Sequence, residues 1–198
     1  DEIKLADRTH TTHVLASHPV PPVFDGVEDR NGRRNHDEIR LLADYIGEAS
    51  DNAYIYDDNG EHGGLRLDHG SFAILGDLNA DPLDGDSRQN ASRQLINHES
   101  VNNDAKPSSE YARAISRSQR KANLNHRGDP RFDTGDFNDK APGNLRVDYI
   151  LPSKRGVTVV CASVLWPNPV NGVSSRLDEA IKDASDHRLV YMDVRFDL

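Results

Sequence analysis

The apolar residues of this chain come in short blocks set between long polar stretches, a spacing that admits strands in several places and an amphipathic helix in few. Ser71 to Leu75, Val147 to Leu151, Val157 to Leu165 and Leu189 to Val194 are too short for buried helices, and Gly, Pro, Asn or Asp stand near their ends. They read as strands of a buried sheet. His10 to Ser17 reads as an earlier strand that stops at His18-Pro19, after which Val-Pro-Pro forbids helix. One stretch has helical period: Ile39, Leu42, Ala43 and Ile46 fall at i, i+3, i+4 and i+7. Asn35 is expected to cap that helix with Glu38 at its third position, and Asp25 to Arg34 to be a loop of Asp-Gly and Asn-Gly turns.

From Leu83 to Asn144 run about sixty residues of Ser, Asn, Arg, Asp and Gly with scattered apolar positions. A loop that long in a compact domain carries function or surrounds it, and two short helices are expected to interrupt it near 88–97 and 108–121. Strands follow at 146–151, 157–165 and 189–196, with Pro167 to Asp186 a loop holding one helical turn. The order is strand, helix, strand, long insertion, three strands, so about five strands in an α/β or α+β protein whose polar loops gather at one edge.

A length of 198 residues suits one domain, 1–198, carrying the long polar insertion at about 83–144. Hydrophobic content of 35% and a mean hydropathy of −0.74 leave the burying to the strands. With 33 acids against 24 Lys and Arg the net charge is −9, which argues against a protein that holds nucleic acid by charge alone. It does not argue against a nuclease, because carboxylates that hold a metal also lower the net charge. The lone Cys161 excludes an internal disulfide and, inside a strand, is expected to be a small buried hydrophobe. No apolar run approaches a membrane span, and the first residues show no signal-peptide pattern.

The chemistry-bearing residues sit at strand ends. In Gly76-Asp77-Leu78-Asn79 the two-residue period of extended chain puts Asp77 and Asn79 on one face and Leu78 on the other. A carboxylate beside an amide suits phosphoester hydrolysis: one orients or deprotonates water, the other donates to a phosphoryl oxygen. The alternative is an Asp-Asn turn that merely ends a strand. Asp186-His187 stands at the entrance of the last strand, where the imidazole could transfer protons and the acid bind metal, or where both are simply loop residues. Asp148 interrupts an apolar strand and so needs a partner, either a His whose tautomer it fixes or Arg146 on its own face. His18 ends the first strand and is one of nine His.

Taken together, Ser-His18-Pro, Gly-Asp77-Leu-Asn79-Ala-Asp-Pro, Arg-Val-Asp148-Tyr-Ile-Leu and Ser-Asp186-His187-Arg-Leu-Val resemble, in order along the chain, the endonuclease/exonuclease/phosphatase superfamily of DNases, apurinic endonucleases, bacterial sphingomyelinases and inositol-phosphate phosphatases. The stretch from Val23 to Arg40 is similar to a bacterial, often exported branch, which implies an extracellular or periplasmic location. The resemblance implies a four-layered α/β sandwich of the DNase-like type. It also implies attack of water on a phosphoester with Mg²⁺ or Mn²⁺, Ca²⁺ being the alternative ion. By that similarity His187, oriented by Asp148, faces the scissile phosphate. Asp77 and Asn79 position the nucleophile, Asp186 and Asp77 bind metal, and His18 is a second imidazole on the phosphate side. The implied function is a phosphodiesterase or nuclease. The alternatives are a phosphatase on small phosphorylated molecules or lipid head groups, and an inactive piece.

Family members run longer and supply an early Asn and a metal-binding Glu from their N-terminal half. The resemblance therefore covers the C-terminal half to two-thirds of the family's domain, with the N-terminal part of the sandwich expected to be absent. Neither Glu2 nor Glu38 matches the missing Glu. A second copy, or another chain, is then expected to cover the exposed sheet. Arg30, Arg33 and Arg34, after His18, are the expected phosphate contacts. Arg113, Arg117, Arg120 and Lys121 would give a helix one cationic face, for nucleic acid or merely for solvent. Asp129, Asp133, Asp136 and Asp139 form an acidic cluster that could take Ca²⁺ but lacks the EF-hand spacing.

Overall fold

A computed structural model describes residues 2–5, 8–66, 70–168 and 176–197. A four-stranded sheet carries the centre of the molecule: β1 (Glu2–Leu5), β2 (Arg8–Ala16), β3 (Gly70–Asp77) and β6 (Asp148–Pro152), lying in that order. β1 runs antiparallel to β2, β2 parallel to β3, and β3 antiparallel to β6. The parallel step needs a crossover, and α1 (Arg30–Tyr45) with the one-turn α2 (Ala49–Asn52) supplies it. α1 turns Ile39, Ala43 and Ile46 onto Phe72 and Ile74 of β3 and Tyr149 and Leu151 of β6, making the main core. Each fully buried aliphatic or aromatic side chain there contributes about 1.5–3 kcal/mol.

The opposite face of the sheet holds His10, Thr12 and Ser71, whose side chains bond one another. His10 also stacks on Phe196 at 4.8 Å, which ties this face to the second sheet. That sheet is the antiparallel pair β7 (Val157–Val164) and β8 (Val190–Phe196). The stretch between β3 and β6 contains α3 (Arg93–Ile96), α4 (Glu110–Gln119) and the small ladder β4 (Gly135–Asp136) with β5 (Asn144–Leu145). α4 packs Ala112 and Ile115 against Val164, Trp166 and Val190. α5 (Arg176–Ala184) precedes the last strand.

Several expectations need correction. Asn35 does not cap α1: the helix begins five residues earlier at Arg30 and Asn35 is buried inside it. Asp25 accepts the N–H of Asn31, so a carboxylate outside the helix does the capping, and the Asn-Gly pair lies in the first helical turns. The described strands number eight rather than five, because the four-residue β1 pairs with β2 and the insertion contributes the pair β4 and β5, strands too short to have a period to read. α5 spans 9 residues where one turn was expected, while positions 169–175 lie outside the described residues. Cys161 is exposed and donates to Asp193, because the two-stranded β7–β8 sheet leaves that face open.

Candidate active site

The ends of β2 and β3 arrive side by side because they are parallel neighbours. Gly76 makes the approach close: it sits at φ 149°, and a Cβ there would overlap the Ser17 carbonyl. The Ser17 N–H meanwhile donates to Leu75 O at 3.0 Å. This sets His18 beside Asp77, with Nε2 3.5 Å from Oδ2 and an imidazole that is largely exposed. Leu78 is fully buried and its N–H donates to Val147 O at 2.8 Å. Asn79 then turns at φ 50°, donating its N–H to Asp77 Oδ1 at 2.7 Å and its amide to Pro19 O at 3.0 Å. From α1 the buried Asn35 amide donates to Val20 O at 2.8 Å and to Leu78 O at 2.9 Å. Glu38 accepts the Val20 N–H at 2.7 Å. One helix therefore clamps both the His18 loop and the Asp77 turn.

Asp148 stands opposite Asp77 in the β3–β6 register. Its backbone is fixed from the insertion: the buried Thr134 hydroxyl accepts from Val147 N at 3.0 Å and Asp148 N at 2.9 Å. The same segment holds His187. Gly135 forms a bridge with His187, Asp136 N donates to Asp186 O at 2.7 Å, and Arg188 N donates to Thr134 O at 2.7 Å. Arg188, whose side chain is 2% exposed, pairs with Asp136 at 2.6 Å and lies over Trp166. The His187 ring then places Nδ1 2.9 Å from Asp148 Oδ2 and Nε2 3.9 Å from Asp77 Oδ2, with Phe137 edge-on at 5.4 Å.

An ionised carboxylate only accepts, so His187 Nδ1 carries the hydrogen and Nε2 is the nitrogen left for other chemistry. The hydrogen bond to Asp148 raises the His187 pKa above the ordinary imidazole value, against the opposing effect of burial. Asp77 is pushed above the usual carboxylate range, chiefly by burial, with the nearby charge of Asp148 adding to it. Asp77, Asp148 and His187 each offer a ligand atom within 4.8 Å of the others. Two facing carboxylates, one of them held up by burial and repulsion, make a donor set suited to a hard divalent cation.

Arg146 does not partner Asp148: it lies over the Tyr149 ring at 4.6 Å and reaches Asn103. The Asp186 carboxylate is exposed and outside the converging trio, although the Asp186 backbone carbonyl is bound. Arg30 and Arg34 pair with Glu28 and Glu38, and Arg33 is exposed on α1. The cationic face of α4 is broken, since Arg113 pairs with Glu110 and Asp129, Arg120 lies beyond the helix at φ 59°, and Lys121 pairs with Asp139. The acidic cluster disperses likewise: Asp129 goes to Arg131, Asp136 to Arg188 and Asp139 to Lys121. Sequence reasoning missed Thr134, Asn35 and Arg188 as supports of the site. In the sequence, Asp133 and Asp136 stood out only as members of an acidic cluster, and Thr134 between them only as polar insertion.

The model of the Endonuclease/Exonuclease/phosphatase family matches residues 6–187. No curated protein sequence matches the chain. Among solved structures, the crystal structure of beta toxin 275-280 from Staphylococcus aureus is similar at 14% identity with a TM-score of 0.47. That alignment covers 97% of this chain and 55% of the toxin chain, so this chain spans about half of the toxin's length.

Proposed function

This chain belongs to the Endonuclease/Exonuclease/phosphatase family, and we propose that it is a phosphodiesterase, with nucleic acid as the first substrate class to test and Mg²⁺ or Mn²⁺ as its cofactor. The observation that carries the reading is the convergence of two imidazoles on one carboxylate oxygen: His18 at 3.5 Å and His187 at 3.9 Å from Asp77 Oδ2.

Asp77 Oδ1 is taken by the Asn79 N–H, so Oδ2 is the oxygen free to orient and deprotonate a water. Its raised pKa makes it a better proton acceptor than an ordinary aspartate. His187, with Nδ1 donating to Asp148, directs Nε2 at the phosphoryl group and as an imidazolium stabilises the charge that develops there. Exposed His18 meets the phosphate from the other side. Asp77 and Asp148 would hold the divalent ion, which supplies Lewis-acid polarisation of the phosphoryl oxygens. Asp186, beside His187 in the chain, would swing in as a further ligand of the metal, and Arg30, Arg33 and Arg34 at the start of α1 are the candidates for binding flanking phosphates.

The test is release of nitrophenol from bis-(nitrophenyl) phosphate and from nitrophenyl phosphate, alongside nicking of plasmid DNA, each in Mg²⁺, in Mn²⁺ and in chelator. Metal-dependent diester cleavage is expected, and His187→Ala should lower kcat by about 10³-fold or more while circular dichroism is unchanged. Cleavage of the monoester alone would replace this reading with a phosphatase, and wild-type turnover in the His187→Ala chain would remove His187 from the chemistry.

A further inference from the structure

A cavity of about 350 Å³ lies between the loop that follows β3, the short helix α3 and the turn before β4. Pro82, Leu83, Ile96 and Phe132 give it apolar walls. Three cations line it as well: Arg93 and Lys106 are exposed, whereas Arg146 is buried, at 6% exposure. Among the described residues none of the three has a carboxylate partner. Arg93 donates to Pro82 O, Lys106 lies over Phe132 at 5.5 Å, and Arg146 lies over Tyr149 and reaches Asn103.

The carboxylates around the cavity are answered by other groups. Asp129 pairs with Arg113 and Arg131, Asp84 pairs with Arg127, and Asp81 accepts the N–H groups of Leu83, Asp84 and Arg146. Buried Asp133 is the exception, since its carboxyl has no hydrogen bond or ion pair among the described residues. Burial, then the charges of Asp81, Asp84 and Asp129, push it up to about 9. At neutral pH it therefore keeps its proton and can both donate and accept a hydrogen bond. In a chain of net charge −9, three cations left without a carboxylate around one space call for an anion from outside, and a buried guanidinium gains most from it.

We propose that this cavity is an accessory site for a nucleoside monophosphate, separate from the Asp77 centre. Two guanidiniums and an ammonium match a dianionic phosphate better than the single charge of a carboxylate, with Arg93 and Lys106 meeting it at the mouth and Arg146 from the wall. The body behind the phosphate needs apolar faces for Leu83, Ile96 and Phe132, and a polar edge for Asp133. A nucleobase has both, and its adjacent donor and acceptor complement a protonated carboxyl. The volume is at the small end for an organic ligand, which suits one nucleotide rather than an oligomer. Binding here needs no hydrolysis, so the site goes beyond the phosphodiesterase reading. Occupancy would still bear on the catalytic groups, because Asp133 precedes Thr134, whose hydroxyl fixes the backbone of Asp148.

The test is calorimetric titration of the chain, in chelator, with the 5′-monophosphates of adenosine, guanosine, cytidine and uridine. Saturation at one nucleotide per chain is expected for at least one of them, with inorganic phosphate and ribose 5-phosphate bound about tenfold more weakly or worse. Arg93→Ala combined with Lys106→Ala changes two exposed side chains, so the fold should stand by circular dichroism while binding weakens by about tenfold or more. His18→Ala combined with His187→Ala should leave the binding unchanged. No saturation at millimolar nucleotide, binding unmoved by the Arg93 and Lys106 variant, or ribose 5-phosphate bound as tightly as the nucleotide would overturn the site. Binding lost in the histidine variant would put the nucleotide at the Asp77 centre and overturn it as well. A chain inert towards every diester that still bound nucleotide at this cavity would keep the site and remove the hydrolytic reading.

Discussion

Asp148 shows how one carboxylate acts through another residue. It raises the His187 pKa, so in the folded chain the imidazole keeps its proton to higher pH than in the unfolded one. The stability contributed by this pair is fully present below the ordinary imidazole pKa and is lost as pH rises through the raised value. Asp148→Asn should bring the His187 titration, followed by NMR, back down, abolish the pH dependence of stability in that window, and cut turnover by about 10²–10⁴-fold. A His187 titration unmoved by Asp148→Asn would show that the 2.9 Å contact is not an ion pair in solution. Asn35 makes a different prediction. Asn35→Ala leaves the Val20 and Leu78 carbonyls unpaired at a buried site, so urea unfolding should show a loss of about 1–3 kcal/mol. Turnover should fall as well, because His18 and Asp77 lose their common clamp.

At the scale of elements, legibility followed periodicity. β2, β3, β6, β7 and β8 were readable because short apolar runs bounded by breakers have few other fates, and Asp77, Asn79, Asp148 and His187 were readable as polar residues at the ends of those runs. The start of α1 was not, since its capping carboxylate, Asp25, lies outside the helix and no spacing rule reaches it. Nor was the insertion's part in the site. Thr134 meets Val147 and Asp148 across 13 and 14 residues of chain through a single hydroxyl, a link without any pattern in the sequence. Thr134→Val keeps the shape and removes the acceptor from two N–H groups. It should destabilise the chain by about 1–3 kcal/mol for each orphaned donor, and crystallography or amide exchange should place the loosening at β6. Thr134→Ser, which retains the hydroxyl, should restore most of the loss.

On the scale of the whole molecule, a net charge of −9 leaves substrate attraction to local groups. Removing divalent ions with chelator is expected to stop diester hydrolysis, and Mg²⁺ or Mn²⁺ to restore it, without change in secondary structure by circular dichroism. Persistent turnover in chelator would exclude the metal-assisted route. The β4 and β5 turn and the active-site histidine also share one backbone ladder, through Gly135 and His187, Asp136 and Asp186, and Thr134 and Arg188. The polar stretch between β3 and β6 is thus the part a protein engineer would trim first and a protease would be expected to nick first. Shortening it to make a tidier chain would take the support from behind the candidate site while Asp77, Asp148 and His187 all stayed in the sequence.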